Sequence, residues 1–186
     1  MPTNLQQLTL QLRVELDRVT PTVWRQILVP SSARLSRLHD IIQAAMGWTN
    51  SHLHAFSLGD ARYGPCYEDH PEGEIDEQTV TIREVLLGHR QFSYEYDFGD
   101  GWMHTVTVEA EFRTRKALKF ALCVAGENAC PPEDCGGPGG FTYFLEALAD
   151  PKHDEHEMYV RWNGADIFDR SAFNLIEANA ALQRVR

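Results

Sequence analysis

The chain has 186 residues, which is enough for one domain with a buried core and short for two. Its 17 lysines and arginines against 27 aspartates and glutamates give a formal net charge of −10. This balance argues against sequence-independent nucleic-acid binding, which needs a basic face. No apolar run approaches the roughly 20 residues of a membrane-spanning helix, so no membrane association is expected.

The N-terminal segment has no basic region followed by an apolar stretch, the pattern of a secretory signal peptide. We therefore expect a cytoplasmic protein. Cysteines in the reducing cytoplasm are thiols or metal ligands more often than disulfides. This expectation applies to Cys66, Cys123, Cys130 and Cys135.

The first part of the chain has the patterns of two strands and a helix. Alternating apolar and polar residues predict a strand from Leu8 to Leu16, and β-branched residues predict its return over Val23–Val29. Apolar residues at helical spacing predict a helix over residues 36–47, with Ser36 as N-cap and Gly47 just past its end.

The middle of the chain alternates strands with polar connections. A strand is expected over residues 52–58, and the acidic segment 60–79 is expected to be a loop. A short helix should begin after Thr81, and an aromatic-rich hairpin should join Gln91–Phe98 to Trp102–Phe112.

The last third is predicted to be mostly helical. After a strand over residues 119–124, helices are expected over 142–148, over 153–162 and after Ser171. Strands thus dominate the first two thirds and helices the last. This segregation predicts a single α+β domain over residues 1–186, with a mainly antiparallel sheet and the helices packed on it.

Three histidines lie on the predicted strands. His52 and His54 are two residues apart, which places both imidazoles on one face of a strand. If Gly99-Asp100 is a two-residue turn, Glu95 stands opposite His104 and Asp97 lies diagonal to it. Such a carboxylate would orient a metal-bound imidazole. The alternative is that the histidines line the core and are satisfied by hydrogen bonds.

The segment 130–140 combines two cysteines with three prolines and four glycines, which specifies irregular backbone. Cys123, Cys130 and Cys135 are separated by six and four residues, unlike the two-residue spacing of a zinc knuckle. A split site, with these thiols and the strand histidines as ligands and zinc as the candidate metal, remains open beside a purely structural role.

Four motifs together resemble the plasmid PRiA-four ORF-three-like family, also described as TnpR-like passenger proteins of insertion elements. They lie at 19–25, at 38–56, at 94–104 with the sequence Asp97-Phe98-Gly99-Asp100, and at 123–137 with Pro131-Pro132-Glu133-Asp134-Cys135-Gly136-Gly137. The resemblance implies one α+β domain with no established biochemical activity, found in prokaryotic genomes near mobile elements.

Two functional hypotheses follow. The first is a non-enzymatic binding or accessory domain with a protein partner, whose surface combines the 52–54 strand, the 97–104 hairpin and the 130–140 loop. Its remaining surface residues would be Asp97, Asp100, Trp102, Glu133 and Asp134. The second is a zinc-type metal-binding protein or metal-dependent hydrolase. Its ligands would come from His52, His54, His104, Cys123, Cys130 and Cys135.

Overall fold

The computed structural model describes residues 7–66, 73–116 and 118–185. Its strands are β1 (Gln7–Leu16), β2 (Trp24–Pro30), β3 (His54–Leu58), β4 (Ala61–Gly64), β5 (Glu74–Asp76), β6 (Gln91–Tyr96), β7 (Trp102–Thr114) and β8 (Leu122–Glu127). Its helices are α1 (Leu35–Met46), α2 (Ile82–Leu86), α3 (Gly137–Ala149), α4 (His156–Asn163) and α5 (Leu175–Leu182).

The eight strands form one sheet in the order β5-β4-β3-β6-β7-β1-β2-β8. Every pairing is antiparallel except that of β4 with the short edge strand β5. The predicted α+β class, with a mainly antiparallel sheet, is confirmed. Among the described residues, no helix has the length and apolar character needed to cross a membrane.

The core combines residues of the sheet with residues of α1, α2, α3 and α5. The alternating residues of β1 that the sequence singled out, such as Leu12 and Val14, are buried in the same cluster as helix residues such as Ile41 and Ile42. Each such side chain stabilises the fold by roughly 1.5–3 kcal/mol on burial. α1 ends where expected, at Gly47 with a φ of 93°, a left-handed conformation that glycine adopts freely.

Several predicted boundaries were wrong. α1 begins at Leu35, and the residue before it, Arg34, makes no side-chain capping bond to the described residues, so Ser36 is not the N-cap. The segment predicted as a loop over 60–79 contains β4 and β5, which are too short to show a period. Residues 67–72 of that segment lie outside the described residues. β8 runs from 122 to 127 instead of 119 to 124.

The C-terminal helices also differ from the prediction. α3 begins at Gly137 rather than Thr142, because Pro138 fits the first turn of a helix, where its missing N–H group costs no hydrogen bond. α4 begins at His156 rather than 153. α5 is capped by Asn174, whose side chain accepts from two backbone N–H groups, and not by Ser171.

The β6–β7 hairpin has a different register from the predicted one. Tyr96 pairs with Trp102 and Tyr94 pairs with His104, so five residues, not two, connect the strands. Asp97 has a φ of 55° and its carbonyl accepts from Gly101 N, which lengthens the turn. A register shift of one residue moves a side chain to the other face of the sheet. His104 therefore points into the core beside Tyr94 and not toward Glu95.

Candidate functional site

Three separate segments of the chain meet at His52. The residue lies just before β3, in the segment 48–53 that follows α1. Its Nδ1 is 3.6 Å from Oδ2 of Asp97, the first residue of the β6–β7 turn. Its Nε2 is 3.1 Å from Oδ1 of Asp134, in the loop before α3. We call His52, Asp97 and Asp134 the His52 junction.

Asp97 is held in place by its own turn. Its backbone N–H donates to Leu53 O at 2.8 Å, and its Oδ1 accepts from Gly99 N at 3.0 Å and from Asp100 N at 3.3 Å. An aspartate that binds backbone groups ahead of it is typical of tight turns. Because Oδ1 is used in this way, Oδ2 is the oxygen directed at His52.

The loop that carries Asp134 is anchored on both sides of this residue. Trp48 Nε1 donates to Pro131 O at 2.9 Å. The Glu133 carboxylate accepts from Thr49 N at 3.1 Å and from the hydroxyl of Tyr96. Burial, and then this hydrogen bond to a carboxylate, raise the pKa of Tyr96. The predicted surface residue Glu133 is thus a structural anchor for the loop.

Close packing explains the glycines that follow. Gly136 N donates to Asp100 Oδ2 at 3.1 Å, which ties the loop to the β6–β7 turn. A Cβ at Gly137 would lie 2.1 Å from Asp100 O, and a Cβ at Gly140 would lie 1.9 Å from Cys135 O. No side chain fits at such distances, so these glycines allow the loop to reach the turn.

The His52 junction has the donors of a metal site. Within the described ranges, these are the only three His, Cys, Asp or Glu residues that each place a ligand atom within 4.8 Å of the other two. His52 Nε2 is buried and makes no hydrogen bond of good geometry to the described residues. One imidazole and two carboxylates suit first-row divalent ions.

The other predicted histidines lie elsewhere. His54 is buried on β3, and its Nε2 is 2.8 Å from Glu77 Oε2. His104 is fully buried, and its Nδ1 donates to Trp102 O at 3.1 Å. Burial lowers the pKa of His104 to about 4, so the imidazole is neutral. Trp102, predicted to be on the surface, is also in the core.

The cysteines do not join His52 within the described part of the chain. Cys123 is buried on β8, where its backbone N and O bond the side chain of Asn179. Burial raises the pKa of all three predicted cysteine ligands, that of Cys135 to about 12. Among the described residues, these thiols also form no group of three ligand atoms within 4.8 Å of one another.

Sequence reasoning missed two buried polar residues, His39 and Glu77. His39 lies on α1 and stacks on His54 with ring centroids 3.4 Å apart and planes 4° apart. The burial of His39 could have been predicted from the sequence. It lies four residues after Leu35 and three before Ile42, on the apolar face of the helix. Glu77 follows β5, and this strand is too short for its sequence pattern to predict where Glu77 lies.

Both the sequence and the fold of the chain are similar to those of known proteins. The family described as plasmid pRiA4b ORF-3-like protein matches residues 8–177. The uncharacterized protein y4hQ of Sinorhizobium fredii (strain NBRC 101917 / NGR234) is 42% identical over 174 residues, which are 92% of this chain and 89% of that protein. The crystal structure of MM3350, a protein of unknown function from Methanosarcina mazei Go1, has a similar fold. The TM-score is 0.81 at 30% identity, over 92% of this chain and 97% of that one.

Proposed function

The chain belongs to the plasmid pRiA4b ORF-3-like family, and because the two relatives named above are described as uncharacterized and of unknown function, we propose its function from its own site. The protein is a non-enzymatic binding domain that holds a divalent metal ion, with zinc as the first candidate, at the His52 junction. The proposal depends on one observation: His52 lies between carboxylates from two different loops, at 3.6 and 3.1 Å.

Charge supports a cation at this point. Asp97 and Asp134 bring two negative charges to one imidazole, and Asp97 is largely buried. Because the Asp134 side chain is 71% exposed, the buried Asp97 carboxylate supplies most of the attraction for a cation. A divalent ion would also join the β6–β7 turn to the loop before α3, and so stabilise the folded arrangement of both.

The proposed ligand set differs from the one suggested by sequence. It keeps His52 and adds two residues, Asp97 and Asp134, that the sequence assigned to the surrounding surface. His54 and His104 are buried in the core. The three thiols lie in surroundings that raise their pKa and so favour the neutral form. Three protein ligands leave a coordination position for water or for a group from a partner.

A protein partner is the second part of the proposal. Leu53 and Phe98 lie next to His52 and Asp97 in the chain and are exposed to 50% and 45%. Exposed apolar side chains beside an acidic site suit a partner segment with both apolar and basic residues. The role is that of a cytoplasmic accessory protein encoded near a mobile element.

Metal titration of the untagged, chelator-treated protein tests the proposal. We expect one equivalent of Zn²⁺ or Mn²⁺ per chain in competition with a chromophoric chelator. Asp97→Asn and Asp134→Asn should each weaken binding at least about tenfold, the equivalent of 1.4 kcal/mol. Asp60→Asn, which removes an exposed carboxylate from the β3–β4 turn, is the matched control. Binding that all three variants retain equally would refute the site.

Partner binding is tested by comparing the wild type with Leu53→Asp and Phe98→Asp as baits in native lysate. We expect the same captured protein with the wild type and with Ile176→Asp, which changes an exposed residue on α5. Capture should be lost with the two variants beside the junction. Equal capture by every bait would show that the partner binds elsewhere.

A further inference from the structure

A polar cleft lies next to the His52 junction, between α1 and the segments before β3 and after β5. Its volume is about 610 Å³, within the range of small-molecule sites. The residues that line it are Ser36, His39, Asp40, Asn50, Ser51, His52, Leu53, His54 and Glu77. We call it the His39–His54 cleft. Of the junction residues, only His52 reaches it.

The wall of the cleft is ordered by a closed hydrogen-bond ring. Gln43 Nε2 donates to the Tyr94 hydroxyl at 3.0 Å, and this hydroxyl is 2.7 Å from His39 Nδ1. His39 Nε2 donates to Asn50 Oδ1 at 2.6 Å, and Asn50 N donates to Gln43 Oε1 at 3.1 Å. Each donor meets an acceptor only if His39 is neutral. Burial, and then the nearby charge of His54, lower its pKa to about 3.

The charge on the cleft is mainly negative. Glu77 is buried with a carboxylate oxygen on His54 Nε2 at 2.8 Å, and Asp40 lies at the mouth. Partial burial, and then the charge of Glu77, raise the pKa of Asp40, so the two carboxylates repel each other across the cleft. Among the described residues that line the cleft there is no lysine or arginine.

We propose that the His39–His54 cleft binds a small organic molecule through a primary ammonium group, with Asp40 and Glu77 as its carboxylate acceptors. An ammonium group has three N–H donors, and Ser36 offers a further oxygen in the same cleft. A charge-assisted hydrogen bond is about twice as strong as a neutral one. Asn50 Nδ2 donates to Asp40 Oδ1 at 3.4 Å, and Glu77 Oε2 lies 2.8 Å from His54 Nε2, so both acceptors are positioned before a ligand binds.

A bare metal ion fits this cleft less well than an organic cation. Within the described ranges, its carboxylates and imidazoles do not bring three ligand atoms within 4.8 Å of one another, whereas the His52 junction does. Both nitrogens of His39 are already used in the hydrogen-bond ring. The two sites share His52, but the proposed acceptors of the cleft, Asp40 and Glu77, are not ligands at the junction.

NMR titration of the ¹⁵N-labelled protein with 1,4-diaminobutane tests the proposal, with 1,4-butanediol as the neutral analogue of similar shape. We expect saturable shifts at Asp40, Asn50 and Glu77 with the diamine and none with the diol. Asp40→Asn should weaken binding of the diamine at least about tenfold. Because Asp40 is exposed, this variant should fold, and the spectrum without ligand verifies that it does.

Two controls separate this site from general charge and from the metal site. Asp60→Asn removes a carboxylate outside the cleft, and chelator treatment of the wild-type protein removes any metal from the junction. Both should keep diamine affinity within about twofold of the wild type. Equal shifts with diamine and diol, or equal weakening by Asp60→Asn and Asp40→Asn, would overturn the proposal whatever the metal titration shows.

Discussion

The Nε2 atom of His52 lies 3.1 Å from Oδ1 of Asp134, although the two residues belong to opposite halves of the chain. Through this contact, the loop with the unusual Pro-Pro-Glu-Asp-Cys-Gly-Gly sequence lies beside His52. The loop brings a carboxylate to a histidine, and its cysteines remain neutral and buried or half-buried. We therefore propose that metal binding at the junction depends on the carboxylates and not on the thiols.

The first prediction concerns the cysteines of this loop. In Cys130→Ser and Cys135→Ser, we expect Zn²⁺ affinity within about twofold of the wild type, because neither thiol belongs to the junction. Burial favours their neutral forms, which are poor ligands. Competition titration with a chromophoric chelator measures this. A tenfold loss in either variant would restore the thiols to the ligand set.

The second prediction concerns the glycines at the start of α3. Gly137→Ala should destabilise the protein by about 3 kcal/mol, since its φ of 68° is strained for alanine and its Cβ would lie 2.1 Å from Asp100 O. Gly139→Ala is the control, because nothing lies within 4 Å of its Cβ and alanine favours a helix by up to about 1 kcal/mol. Urea unfolding measures the free energy of unfolding of both variants. Equal losses in Gly137→Ala and Gly139→Ala would contradict the close packing at Gly137.

The third prediction is a loss of stability in acid through His104. Its pKa is about 4 in the fold against an ordinary 6.5, so between these values the unfolded chain binds a proton that the native state does not. Stability is therefore full above pH 6.5 and falls as the pH drops toward 4, by about 3 kcal/mol for this residue.

His104→Asn checks this effect, because its amide can still donate to the carbonyl that Nδ1 contacts. Unfolding free energies of both proteins between pH 4 and 7 should show a shallower pH dependence in the variant. The slopes of unfolding free energy against pH are compared, because a change in packing alone would shift the free energies at pH 4 and at pH 7 by the same amount. Parallel curves would mean that His104 does not titrate in this way.

The fourth prediction contrasts two helix starts. Thr81 caps α2 through a capping box with Glu84, whereas Ser36 lies inside the first turn of α1. Thr81→Ala should cost about 1 kcal/mol of unfolding free energy, and Ser36→Ala should change it by less than about 0.5 kcal/mol. Thermal unfolding measures both effects. A larger loss of stability in Ser36→Ala than in Thr81→Ala would contradict the assigned caps.

The sequence was a good guide where the pattern is long and local. The alternation in β1 and the helical spacing in α1 predicted both elements, and the family resemblance was confirmed. The edge strands β4 and β5 span four and three residues, which is too short for a period to appear. Boundaries failed where turn chemistry decides them, as at Pro138 and Asn174.

The site was predictable in outline but not in its pairings. The three segments that the sequence grouped do meet, and His52, Asp97 and Asp134 were all singled out. The observed register of the β6–β7 hairpin differs by one residue from the predicted one. That shift directs His104 into the core. Glu77 needed the tertiary fold to bring it to His54.

Anomalous diffraction from crystals soaked in Zn²⁺ or Mn²⁺ shows directly whether a metal ion binds at the His52 junction. We expect a peak in the anomalous difference map at the His52 junction, within bonding distance of His52 and of a carboxylate oxygen from both Asp97 and Asp134. The same peak should disappear in Asp134→Asn crystals. A map with no peak at the junction, or with its peak at Cys130 and Cys135, would mean that the metal does not bind there.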